Sequence, residues 1–139
     1  MVESLIVSRM GEGTRRYNDF RDLKVWQECS AIRRDVWAQC KSFPQEEFYR
    51  LTNQMVRASR SATANIAEGY GRFHYQENIQ FCRQARGSLY ELIDHLTVTG
   101  ECGYLEPMVC TQLIEKIKAA IIRLNAYIKY LKSRKQNEK

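Results

Sequence analysis

PMVCTQLIEKIKAAIIRLNAYIKYL, residues 107–131, is the most regular stretch of the 139-residue chain. Cys110, Ile117, Leu124 and Leu131 recur every seven residues. Leu113, Ala120 and Tyr127 do likewise, with Ile114, Ile121 and Ile128 beside them. That period belongs to an α-helix with a broad apolar band. A band so wide can face a subunit contact as well as a core. Pro107 suits the first turn, where its missing N–H is not needed.

Working backward, Gly100 and Gly103 break the chain before this helix. A third helix is read over 74–101, with Cys82, Ala85, Leu89, Leu92, Leu96 and Thr99 on one stripe. Gly87 weakens it, by about 1 kcal/mol relative to alanine. A second helix is read over 45–68, with Phe48, Leu51, Met55, Ala58, Ala62 and Ile66 as its stripe. Its second half is rich in small residues, which let a neighbouring helix approach closely. Gly69 and Gly71 are expected to end it in the left-handed conformation. Asp22 is the expected N-cap of the first helix, whose face is Leu23, Trp26, Cys29, Ile32, Val36, Cys40 and Phe43. Pro44 closes the connection. The expected organisation is an arm over 1–19, an all-α, up-and-down antiparallel four-helix bundle over 20–133, and a basic tail over 134–139.

Composition agrees with this class. Two prolines and seven glycines are too few for a turn-rich β architecture. No apolar run approaches the ~18 residues of a membrane span, and no signal peptide is read. The five cysteines are far apart and form no CxxC pair. They read as small apolar packing residues in a reducing, cytoplasmic setting. The net charge of +6 and a pI near 9.2 point to an anionic partner. The excess is uneven: residues 104–139 carry +5, residues 20–43 carry +2, and residues 72–103 carry −1.

Three stretches, read together, resemble a known family. They are Phe20-Arg21-Asp22-Leu23-Lys24-Val25-Trp26, the run from Phe43-Pro44 to Asn65-Ile66-Ala67-Glu68-Gly69-Tyr70-Gly71-Arg72, and Ala85-Arg86-Gly87-Ser88-Leu89-Tyr90-Glu91-Leu92. The resemblance, over roughly residues 20–132, is to the proteins encoded in intervening sequences of 23S ribosomal RNA genes. It implies an up-and-down bundle that assembles into a barrel-like homopentamer. It also implies kinship with Avd, the accessory variability determinant of diversity-generating retroelements, which binds a reverse transcriptase and nucleic acid. Where the family has an Ile-Pro step, this chain has Ala62-Thr63, which would leave the second helix straighter.

The functional reading follows from charge. Lys129, Lys132, Arg134 and Lys135 form a terminal cluster that reads either as a solvated helix end or as a polyanion contact. Arg57 and Arg60 lie one turn apart, as do Arg83 and Arg86. With Arg72 they are candidate phosphate contacts along a barrel, or else partners of Glu68, Glu77 and Glu91. Tyr17, Tyr70, Phe73 and Tyr75 gather near chain breaks beside Arg72, where base stacking is an option. Trp26, Trp37, Phe48, Phe81 and Tyr90 are read as core or interface. His74 and His95 form no ligand set, and Asn65–Gly69 lacks a base or nucleophile beside it, so no cofactor, metal or catalytic site is read. The expectation is a non-catalytic, homo-oligomeric protein that binds RNA or DNA and assists a reverse transcriptase. The alternative is a protein-interaction scaffold. Neither a membrane nor a small-molecule substrate is expected.

Overall fold

The computed structural model describes residues 19–137. The expected arm therefore lies, except for Asp19, outside the described residues. Four helices account for most of the rest: α1 Lys24–Cys40, α2 Asn53–Tyr70, α3 Tyr75–Glu101 and α4 Pro107–Gln136. Among the described residues there is no strand. Each helix packs on its neighbours in chain order, and α4 closes on α1, so the bundle is up-and-down and antiparallel. No described helix is long and apolar enough to cross a membrane.

The core follows the periodicities. Every member of the α3 stripe is buried, as are all ten residues named in the α4 band except Ile114, which is half-buried. The small residues of α2 do what their size permits. Ala58, Ser59, Ala62 and Thr63 are buried, and Ser61 meets Ser88 of α3 across a 2.9 Å hydroxyl contact. Buried polar groups are satisfied locally: the Thr99 hydroxyl donates to the His95 carbonyl at 2.8 Å.

Four local expectations are corrected. Asp22 does not cap α1. It ends a short 3-10 turn, Phe20–Asp22, whose cap is Asp19, with its carboxylate accepting from the Arg21 amide at 2.9 Å. The second helix does not begin as an α-helix at residue 45. A 3-10 turn, Gln45–Glu47, leads into one wide π turn, Phe48–Thr52, before α2 proper. That wider turn rotates Phe48 off the stripe, and it stands half-exposed while Leu51 stays in the core. Neither Gly69 nor Gly71 is left-handed; the one described residue with positive φ is Gly103, at 76°. Finally, Arg134 and Lys135 belong to the last turn of α4 rather than to a tail, where cations suit the helix dipole.

Four cysteines, Cys29, Cys40, Cys82 and Cys110, are buried, and Cys102 is exposed. Burial pushes the Cys29 and Cys82 thiols up to about 12 and Cys40 up to about 11. At neutral pH a thiol-reactive aromatic disulfide should find one fast site, Cys102, and reach the others only on unfolding. The folded chain also holds these protons more tightly than the unfolded one. The stability they contribute is intact below the unfolded thiol's pKa and drains as pH rises from about 9 toward 12. Denaturant midpoints measured on either side of about pH 9 check the sign.

Candidate nucleic-acid interface

Helix α1 sorts its charges by face. Glu28 and Asp35, seven residues apart, both turn toward α4, where Glu28 pairs with Arg123 and Asp35 with Lys116 at 3.0 Å. The opposite stripe of α1 faces α2 and carries Trp26, Ser30, Arg33 and Trp37. Its arginines bond hydroxyls instead of carboxylates. Arg33 donates to Thr63 Oγ1 at 2.8 Å and to Ser30 Oγ at 3.2 Å, and Arg34 donates to Ser30 Oγ at 2.8 Å.

The result is a groove of about 360 Å³ between α1 and α2, lined by Arg33, Arg34, Trp37, Val56, Ser59 and Arg60. Trp37 is 51% exposed. The Arg60 guanidinium stacks 5.5 Å from its ring centre, and the Lys41 ammonium lies 5.9 Å from it. Arg33 stands 5.9 Å from the Trp26 ring in the same way. Among the described residues, no carboxylate comes within ion-pair distance of Arg33, Arg34, Lys41 or Arg60. Aromatic stacking holds the cations in place without cancelling their charge. Such a surface offers phosphate oxygens several charge-assisted donors and a ring on which a base can lie.

A second basic groove, of about 440 Å³, runs between α3 and α4 on the other side of the bundle. Gln76, Ile79, Arg83, Lys132, Lys135 and Gln136 line it. Lys135 donates to the Gln76 carbonyl oxygen, and Arg86 further along donates to Asn125 at 2.8 Å. Lys129 is exposed one turn before Lys132. Arg134 points elsewhere and bonds Tyr75, which raises its already high pKa.

The candidate cations from the sequence therefore divide. Arg83, Lys132 and Lys135 share one groove, with Arg86 and Lys129 close by. Arg60 lies in the other, and Arg57 is exposed on α2, donating to Gln54 at 2.8 Å. Arg72 is neutralised: it pairs with Glu68 at 2.9 Å and Glu77 at 3.6 Å and stacks on Phe81. Arg33 and Arg34 of this candidate groove were not singled out in the sequence, and Trp37 was read as core or interface. The signal was present, because Trp26, Ser30, Arg33 and Trp37 follow helical spacing on a stripe free of acids.

The sequence model of the 23S rRNA-intervening sequence protein matches residues 21–126. The chain belongs to this family. Among curated proteins, none is significantly similar to it. The matched span contains the whole α1/α2 groove and stops short of Lys129 and the terminal cluster. Within it, the Asn65–Gly69 block has structural work. Asn65 donates to the Ser61 carbonyl at 2.9 Å, Glu68 holds Arg72, and Gly69 lets α3 come close. His95 pairs with Glu91 at 3.0 Å on the same helix. No group of His, Cys, Asp and Glu among the described residues could hold a metal ion.

Proposed function

We propose that this family member is a non-catalytic, cytoplasmic, homo-oligomeric accessory protein that binds RNA or DNA through its phosphates. The α1/α2 groove carries the reading. Three arginines and a lysine surround an exposed tryptophan, with no carboxylate among the described residues to neutralise them. The α3/α4 groove adds a second track. Exposed apolar side chains on those two helices, Tyr90 and Ile122, fit contact between copies. The homopentamer implied by the resemblance would repeat each groove around an axis and multiply the phosphate contacts. A reverse transcriptase is the protein partner to test first, on the kinship with Avd that the resemblance implies.

A scaffold that binds no nucleic acid is the second reading. Exposed Trp37, Phe48 and Tyr49 favour it, because they cluster about the start of α2 where a partner could seat. Changing Arg60 of the α1/α2 groove and Arg83, Lys132 and Lys135 of the α3/α4 groove together to glutamine separates the two. A phosphate-binding protein should lose about tenfold or more in RNA affinity at moderate salt, with a shallower salt slope. A scaffold should keep its protein contacts and its native mass unchanged, having no RNA affinity to lose.

A further inference from the structure

The end of the bundle where α2 passes to α3 and α4 finishes holds a pocket of about 370 Å³ that neither groove includes. Tyr70, Phe73, Tyr75 and Tyr130 line it, with Tyr127 at its floor and Arg72 at its edge. We propose that this pocket receives a single unpaired nucleobase of an RNA or DNA strand held by the neighbouring basic groove. The proposal rests on the nucleic-acid reading and names the ligand of a further site.

Four observations carry it. The first is size, since about 370 Å³ lies at the small end of the range for ligand pockets, about 300–1,000 Å³, and admits one ring system rather than a helix face. The second is the wall. Tyr127 and Tyr130 are stacked with centres 6.3 Å apart and planes 17° from parallel, so Tyr130 is held as a flat platform. Tyr127 is fixed from below, where the Asn78 amide donates to its hydroxyl at 3.3 Å. The third is exposure. Phe73, which meets the His74 ring edge-on, is 89% exposed and Tyr70 42%, so both present ring surface to solvent. The fourth is charge. Arg134 bonds Tyr75 of the pocket wall, and Lys132 and Lys135 lie one and four residues after Leu131 of the same pocket, in the α3/α4 groove. A strand whose phosphates lie on those cations has the pocket beside it. Tyrosine rings with polar rims accept a base face while their hydroxyls stay wet, which an aliphatic ligand would not use. Bases in a duplex are already stacked and enter only by being flipped out, at the cost of their stacking and pairing.

The test is a titration of the full chain with a single-stranded RNA oligonucleotide carrying one 2-aminopurine, and with a blunt duplex of the same sequence. Expected is a change in 2-aminopurine fluorescence on binding the single strand. Phe73→Ala and Tyr70→Ala should each weaken single-strand binding by about tenfold, with little change in its salt slope or in duplex binding. Both side chains are at the surface, and a thermal melt confirms that the variants fold. Unchanged single-strand affinity in both variants, with duplex binding intact, overturns the pocket alone. Failure of the unaltered chain to bind either strand overturns the pocket and the nucleic-acid reading together.

Discussion

Replacing Arg33, Arg34 and Arg60 together with glutamine should weaken binding to RNA and DNA on the order of a hundredfold at low salt. The slope of log K against log salt should fall by about three. The size follows from the number of cations and from their state. Each is held against an aromatic ring or a hydroxyl, so its charge is available to phosphate. Loss should be similar for different sequences, since phosphate contacts carry no base information. Stability should fall by no more than about 1–3 kcal/mol, because the buried Ser30 hydroxyl loses its two arginine donors. Thr63 keeps its bond to the Arg60 carbonyl at 3.1 Å, and no carboxylate among the described residues is left unpaired. Lys116→Gln is the control. Its ammonium already serves Asp35, so nucleic-acid affinity should hold while stability falls by at most about 1 kcal/mol. Fluorescence anisotropy across a salt series measures both variants. A triple variant that binds like the unaltered chain would remove the α1/α2 groove from the interface.

Gly69→Ala should destabilise the fold by about 1–3 kcal/mol, although alanine is the better helix former. A β-carbon at Gly69 would lie 2.7 Å from Asn78 Oδ1 and 2.9 Å from Phe81 Cβ. The amide could swing aside, but it is tied to Tyr127. Phe81 Cβ sits on the α3 backbone and cannot move without the helix. The last turn of α2 must therefore part from α3, opening the joint that supports the aromatic end pocket. Gly87→Ala shows the opposite case within one protein. Gly87 is exposed in the middle of α3, and a β-carbon there meets nothing within 4 Å. That change should stabilise by about 0.5–1 kcal/mol. Chemical denaturation of the two variants side by side checks both signs.

The contrast between these glycines shows what the sequence conveys. Gly87 reads as a weak point inside a helix, and Gly69 as a stop signal. Their difference lies in the distance to another helix, which no local pattern contains. The core was legible wherever an unbroken 3.6-residue period ran, as in α3 and α4, because burial repeats with the turn. It failed at Phe48, where one π turn shifts the register that the stripe assumed. Asp22 looked like a cap because it precedes an apolar run. Asp19, three residues earlier, takes the backbone amide instead.

The site was legible in part. The terminal cluster drew the eye because net charge piles up there, yet charge density does not tell which cations are free. Arg72 stood out in the family-like block and proves to be tied to two glutamates. Arg33 and Arg34 sit in a segment that carries +2 overall and also holds Glu28 and Asp35. Only the helical phase shows that those acids serve Arg123 and Lys116 on the far face. The tyrosines of the end pocket come from α2, α3 and α4, so only Tyr70, Phe73 and Tyr75 could be grouped beforehand. Tyr127 and Tyr130 join them through the antiparallel return of α4.

Binding of the nuclease-treated chain to labelled structured RNA and to DNA, from about 50 to 200 mM salt, with native mass taken on the same samples, tests the central claim most directly. Expected is an oligomer whose log affinity falls linearly with log salt. The fall should reach about a thousandfold or more across that range if six or more phosphates are contacted. A chain that stays monomeric and binds neither nucleic acid at the lowest salt would contradict it.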